Sequence, residues 1–273
     1  MVEIRLYSYK TYYSTESYIT LYLLRKSMEI KKILETKKGE KYFVKDLDKD
    51  LHTKYGVIKA TEIKKAKDGD IVVSDHHEEC VVYSPSFIDH YRKIERLAQI
   101  PLLKDIGFII AELGLGKESV IVEGGSGSGG VACFLAHIVK KVYSFEIKDE
   151  HLQIIKNNIH NLHLDNVEVR KQSMYDELGI ANIDAVFLDL PEPWNAIAPA
   201  ENTLKVGGFL VSYSPNLSSA SDFVNTLAKN NKFSILKTVE VIEQQWDVME
   251  KKIKPKSEKI HSGFITIARK IQH

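Results

Sequence analysis

The chain has 273 residues, 44% hydrophobic and 27% charged, the balance of a soluble globular protein with room for one large domain or an ordinary one plus a small one. A net charge of +1 excludes a global positive field for nucleic acid, so any such contact has to come from local patches. Two cysteines, Cys80 and Cys133, exclude a disulfide framework and fit a reducing cytoplasm; no apolar run is long enough for a membrane span, and the start makes a poor signal peptide.

Residues 1–27 are tyrosine-rich (Tyr7, Tyr9, Tyr12, Tyr13, Tyr18, Tyr22), and the texture changes at Met28, the expected native start, with an extension before it. Residues 28–82 read as a small β-domain. Lys41 to Lys45 alternate, and turns are expected at Lys38-Gly39 and Asp68-Gly69-Asp70. Residues 83–118 form a linking helical segment, helically spaced from Ser86 to Leu113 and stopped by Gly114. His76-His77-Glu78-Glu79-Cys80 invites a metal reading, but neighbours on a strand face opposite ways and the spacing fits no common zinc site, so no metal is expected.

From 119 to 273 strands and helices alternate, the pattern of a doubly wound parallel α/β sheet. Strands are expected at 119–123, 141–146, 166–170, 183–189, 208–213, 234–244 and 262–269, and helices near 129–139, 149–162, 193–203 and 217–230. The last two strands have no helix between them and should pair antiparallel.

A glycine turn, Glu123-Gly124-Gly125-Ser126-Gly127-Ser128-Gly129-Gly130, follows the first of these strands. Glycines allow positive φ and close approach of a ligand to bare backbone. Gly125, Gly127 and Gly130 satisfy the dinucleotide pattern G-x-G-x-x-G, while Glu123, Gly125, Gly127 and Gly129 satisfy E-x-G-x-G-x-G of S-adenosylmethionine-dependent methyltransferases. The glycines alone leave both cofactors open. Glu146 closes the next strand, where a carboxylate accepts bonds from ribose hydroxyls or is merely a solvated strand-end acid.

Leu188-Asp189-Leu190-Pro191-Glu192-Pro193-Trp194 resembles the D-L-x-x-P-W motif of the tRNA (adenine-N1)-methyltransferases that modify adenine 58 of the T-loop. Gln99-Ile100 with Lys104-Asp105, the run His52 to Ile58, Gln245-Trp246-Asp247-Val248 and His261-Ser262-Gly263-Phe264 are similar to further segments of that family, so the likeness covers about residues 28–270. The resemblance implies a Rossmann-like, seven-stranded methyltransferase fold, S-adenosylmethionine as cofactor, tRNA as partner and a homotetramer. It implies that Gln99, Glu123, Gly125, Ser126, Gly127, Ser128, Gly129, Glu146, Ser173 and Asp189 hold the cofactor. Ser173 stands where the family has an aspartate for the adenine amine, and serine accepts that bond without charge assistance. Gln245 and Lys254 stand where the family favours arginine.

Methylation of adenine N1 puts positive charge on the ring and its exocyclic amine, which a fixed carboxylate stabilises. Asp189 is the expected catalytic group; the alternative is a helix cap. N1 lies on the Watson–Crick edge, so the base has to be splayed out of its loop. Trp194 and Tyr213 are candidates to stack on it or are core aromatics. Lys254, within the lysine run Lys251, Lys252, Lys254, Lys256 and Lys259 of an expected hairpin loop, and His261 are candidate tRNA contacts. Competing readings are a same-fold methyltransferase acting on a protein or small molecule, a catalytically silent tRNA-binding subunit, and a nicotinamide oxidoreductase resting on the glycines alone.

Overall fold

The computed structural model describes residues 29–249, 252–257 and 261–273; the extension 1–27, the expected start at Met28, and Lys251 and Lys259 lie outside them. The chain divides into two compact units between His90 and Tyr91.

The first unit holds a four-stranded antiparallel sheet ordered β2-β1-β6-β5, from β1 (Lys32–Thr36), β2 (Lys41–Val44), β5 (Ile71–Val73) and β6 (Glu79–Tyr83), and a hairpin of β3 (Leu51–Thr53) and β4 (Gly56–Ile58). With helix α1 (Ala60–Lys65) these strands enclose Leu34, Val44, Ile58, Ile63, Val72, Cys80 and Val82. The period of two in β6 buries Cys80 and Val82 on one face. His76 and His77 are not on a strand, as the metal argument supposed. They form the β5–β6 turn, where the His77 N–H donates to the Ser74 carbonyl and His77 takes φ 63°. Among the described residues no three His, Cys, Asp or Glu side chains cluster as metal ligands.

The helical stretch expected from Ser86 to Leu113 is broken into α2 (Phe87–Tyr91) and α3 (Leu103–Leu113), with residues 92–102 irregular. Pro101 disfavours the helical region for Ile100. The N–H groups of Glu95, Leu97 and Ala98 bond to side chains, Asn158 Oδ1 (2.9 Å) and Ser128 Oγ (2.8 and 3.0 Å), instead of to helical carbonyls. Gly114, at φ 62°, caps α3 in the left-handed conformation.

The second unit is a seven-stranded sheet. In chain order come β7 (Val120–Gly124), α4 (Gly130–Ala136), β8 (Lys141–Glu146), α5 (Asp149–Asn161), β9 (Val167–Lys171), β10 (Ile183–Leu188), a 3-10 turn (Pro193–Ala196), α6 (Ile197–Thr203), β11 (Leu204–Ser214), α7 (Leu217–Leu227), β12 (Phe233–Glu240), β13 (Trp246–Met249), β14 (Lys252–Pro255) and β15 (Phe264–Lys270). The order is β12-β15-β11-β10-β7-β8-β9, parallel from β11 to β9, with β15 antiparallel to both its neighbours. All seven expected strands form, and the last pair antiparallel as expected. This is the seven-stranded architecture that the resemblance implies. Alternate strand residues feed two cores: Ile121, Ala185, Phe187 and Val211 pack with α3 and α4, while Val122, Val186, Leu188 and Leu210 pack with α6 and α7.

Part of the lysine run is strand where a loop was expected. Its 252–255 portion pairs with Trp246–Met249 as a two-stranded ribbon, because Lys-Ile-Lys-Pro alternates against Trp-Asp-Val-Met. No helix among the described residues is long and apolar enough to cross a membrane.

Candidate active site

The chain runs outward from β7 through β8 to β9, then returns to β10 on the other side of β7. The crevice at such a reversal lies beyond the carboxyl ends of the strands. Here it holds a cavity of about 570 Å³ walled by the segments following β7, β8, β9 and β10 and by residues 98–101.

The glycine turn fits this place for two reasons. Gly125 takes φ 82°, and a Cβ on it would collide with the Asp189 carbonyl oxygen; the Asp189 N–H in turn donates to the Gly124 carbonyl (2.9 Å). A Cβ on Gly130 would occupy the space of the Ile100 side chain. The turn is bare so that β10 and the 98–101 segment can close on it, besides any ligand.

Three carboxylates meet the cavity in different states. Glu146 is buried, with Oε2 accepting from the Gly127 N–H (2.9 Å) and lying 3.1 Å from His151 Nδ1, and Oε1 accepting from the N–H groups of Ile147 (2.8 Å) and Lys148 (3.0 Å). Burial raises its pKa, but the bonds from Lys148, His151, Gly127 and Ile147 outweigh it and hold the carboxyl below its ordinary value. Glu123 is buried and pushed up to about 7 by burial, against the donating hydroxyls of Ser126 and Ser144. Asp189 is half-buried, and its carboxylate has no hydrogen-bond or ion partner among the described residues; burial alone pushes it up to about 7.

A second hollow of about 300 Å³ adjoins the first and shares Gln99, Ile100, Pro101, Asp189, Leu190 and Pro191 with it. Its remaining lining is Tyr213, Pro215 and Ser262. Asp189 and Gln99 therefore stand where the two spaces meet. Tyr213 is only 7% exposed, and its hydroxyl donates to Asp105 Oδ2 (3.1 Å), so it is a fixed wall.

Of the residues singled out from sequence, Gln99, Glu123, Gly125, Ser126, Gly127, Glu146, Ser173 and Asp189 line the larger cavity. Ser128 and Gly129 do not. Ser128 Oγ is turned back to hold the 95–98 segment, and Gly129 is the left-handed cap before α4. Ser173 Oγ accepts from the Tyr175 N–H (3.1 Å). Trp194 packs half-buried against the core under α6 and lines neither space. His261 is held by Glu240 Oε1 (2.6 Å) and the Pro215 carbonyl (3.2 Å), and Lys254 sits exposed on β14 opposite Asp247.

The sequence reading passed over His151, Gln172 and Tyr175, which also line the cavity, and Asn158. Asn158 had a readable signal: it sits in the stripe Leu152, Ile155, Asn158, Leu162 at helical spacing, and a buried amide there demands partners. It finds Glu95 and the Ser128 carbonyl.

Similarity to known proteins agrees with this geometry. The chain is 27% identical, over 87% of its length and 94% of the relative's, to the tRNA (adenine(57)-N(1)/adenine(58)-N(1))-methyltransferase TrmI of Methanocaldococcus jannaschii. It is 29% identical, over 87% of its length and 96% of the relative's, to the tRNA (adenine(58)-N(1))-methyltransferase TrmI of Thermus thermophilus. Among solved structures it superposes on a SAM-dependent O-methyltransferase from Thermotoga maritima (TM-score 0.81, 25% identity, 89% of this chain and 94% of that one). The fold also matches the tRNA (m1A58) methyltransferase TrmI of Aquifex aeolicus (TM-score 0.77, 23% identity, 90% and 100%). Residues 92–268 match the family described as tRNA methyltransferase complex GCD14 subunit, which covers the whole crevice and both hollows, and the chain belongs to that family.

Proposed function

We propose that this chain is an S-adenosylmethionine-dependent tRNA methyltransferase that places a methyl group on N1 of adenine 58 in the T-loop. The observation that carries the reading is Asp189: an unpartnered carboxylate at the end of β10, in the shared wall of two adjoining hollows.

The larger cavity suits the cofactor. Its lining includes bare glycine backbone, the apolar Phe145, Ile147 and Met174, and the carboxylate Glu146. When bound, the cofactor supplies an electrophilic methyl group on a sulfonium. Phe145, Ile147, Met174 and Ser173 would hold its adenine, with the serine hydroxyl facing the amine. Glu146 would hold the ribose hydroxyls; His151 is the one side chain among its four present contacts. Gln99, Glu123, Gly125, Ser126 and Gly127 would hold the tail.

The smaller hollow has room for one flat base, walled by Tyr213 and Pro215. Adenine N1 carries its own lone pair, so no base is needed to expose it. Ionised Asp189 accepts an N–H of the exocyclic amine and stabilises the charge that grows on the ring. The fixed walls orient the base for in-line attack. Pro191 stiffens the loop that carries Asp189.

Trp194 packs against the core under α6, which favours the core-aromatic alternative for it. Lys254 and His261 lie outside both spaces, and the body of the tRNA is their proposed partner. One face of the β13–β14 ribbon is wholly apolar, with Trp246 and Val248 opposite Pro255 and Ile253, and Val248 is 72% exposed. An exposed apolar face of this kind is suited to cover by a second copy of this chain, in keeping with the homo-oligomer, a tetramer, that the resemblance implies.

The test is incubation of the purified chain, its mass in solution measured, with unmodified tRNA transcripts and labelled cofactor, followed by nucleoside mapping. Label on N1 of adenine 58 is expected. Mapping also reads adenine 57, the position that the Methanocaldococcus relative's name adds. Label in proteins or small molecules alone would overturn the reading.

A further inference from the structure

Lys104 and Asp105 open α3, and neither reaches the surface in the usual way of a charged residue. Asp105 is 0% exposed, and the Lys104 side chain is nearly as buried. The three protons of the Lys104 ammonium have three acceptors: Asp105 Oδ1 (2.9 Å), the Val241 carbonyl and Ser262 Oγ. The other Asp105 oxygen accepts from the Tyr213 hydroxyl (3.1 Å). The cluster thus joins the start of α3, the end of β11, the residue following β12 and the segment entering β15. Gly263 completes it, because a Cβ there would lie 2.7 Å from Tyr213 Cζ and 2.9 Å from its oxygen.

Stability alone is a poor account of such a pair. Desolvation offsets most of the attraction, and well-packed apolar side chains of the same volume do as well or better. What the pair does supply is fixed position. Tyr213 and Ser262, the two side chains it grips, both wall the smaller hollow. Lys104 also pins α3 directly after Ile100 and Pro101, which wall the same hollow and the cofactor cavity. The other end of that segment is tied down by Asn158 and Ser128.

We propose that Lys104 and Asp105 are positioning residues that hold the smaller hollow at its working width, acting through Tyr213 and Ser262. The proposal rests on the reading that this hollow receives the acceptor base. It leaves cofactor binding to other residues.

The experiment uses the full chain as Asp105→Asn, Tyr213→Phe and the double variant. Three quantities are read for each: S-adenosylhomocysteine affinity by calorimetry, Tm, and kcat and KM with tRNA. Both single variants should bind S-adenosylhomocysteine within about twofold of wild type and lose about 10- to 100-fold in kcat, the size of effect a small misplacement produces. The double variant should be no worse than the poorer single, since both cut one chain of contacts. Wild-type kcat in Tyr213→Phe overturns the proposal. So does an Asp105→Asn variant whose cofactor affinity and Tm fall in parallel with its activity, the mark of a merely structural role. If Asp105→Asn does not fold, Tyr213→Phe, which removes a single oxygen, decides alone. A wild-type chain that binds S-adenosylhomocysteine yet labels no tRNA removes the acceptor reading, and the proposal with it.

Discussion

Glu146 and Asp189 occupy equivalent places at the carboxyl ends of β8 and β10, yet their surroundings are opposite. Glu146 accepts from three backbone N–H groups and faces His151, and its pKa falls below the ordinary value. The Asp189 carboxylate has no partner among the described residues, and burial pushes it up to about 7. The first carboxylate has most of its acceptor capacity taken up by backbone N–H groups of the glycine turn and of residues 147 and 148. The second keeps its capacity for whatever enters between the hollows, at a cost in stability. Two like groups driven apart in pKa are a mark of divided labour in an active site.

The sharpest way to break this contrast is Asp189→Asn. Turnover should fall by about 10²- to 10³-fold, the scale for losing one transition-state contact, while S-adenosylhomocysteine still binds. In the wild type kcat/KM should rise with pH through about 7, because only the ionised carboxylate of the free chain accepts the amine. Stability should run the other way. A carboxyl raised in the folded state contributes most below its unfolded pKa, and that contribution is lost as pH rises from about 4 to about 7. Asp189→Asn should therefore raise Tm at pH 8, by the equivalent of about 1–2 kcal/mol after allowance for water at a half-buried site, and the gain should vanish towards pH 4. An Asp189→Asn variant with ordinary turnover would falsify the division of labour.

Glu146→Gln should have the opposite sign. The amide keeps one oxygen and turns an NH₂ toward groups that themselves donate, leaving buried N–H groups unmatched at a cost of about 1–3 kcal/mol. Tm should drop, and cofactor affinity should weaken roughly tenfold as the turn loosens. At saturating cofactor kcat should hold. The lowered pKa predicts that this contribution is present at neutral pH and disappears as pH falls through the acid range. Kinetics at varied cofactor concentration, with melting curves at two pH values, separate the outcomes; a loss confined to kcat would place Glu146 in the chemistry instead.

Much of this was legible in the chain because it is local. The strand ends at Glu146 and Leu188, and the glycine turn between β7 and α4, follow from period, turn chemistry and short motifs. The helix expected over 86–113 failed at the one place where tertiary contacts decide. Ser128 and Asn158, 30 and 63 residues from the segment they bind, hold it open as a cavity wall. The Lys104–Asp105–Tyr213 cluster joins residues up to 158 positions apart. Its lysine and aspartate stand out in sequence only as part of a segment similar to the family's, with nothing to show that they meet Tyr213 and Ser262. Long-range side-chain bonds leave no periodic trace, so Asp189 and Tyr213 were readable as candidates while the contacts that hold Tyr213 in place were not.

Ser173→Asp should give the smallest effect and the only gain in cofactor affinity. Ser173 Oγ accepts from the Tyr175 N–H (3.1 Å), a bond that an aspartate oxygen can keep while its second oxygen stays free for the adenine amine. Repulsion is minor, since the neighbouring Asp176 is exposed and screened by water and salt. A charge-assisted bond in place of a neutral one is worth roughly 1 kcal/mol, or about fivefold tighter S-adenosylhomocysteine, with kcat unchanged. The inosine analogue, which lacks the amine, should gain nothing. Equal gains for both ligands would mean that the carboxylate acts by stiffening the 173–176 turn, and no gain for either would move the adenine away from residue 173.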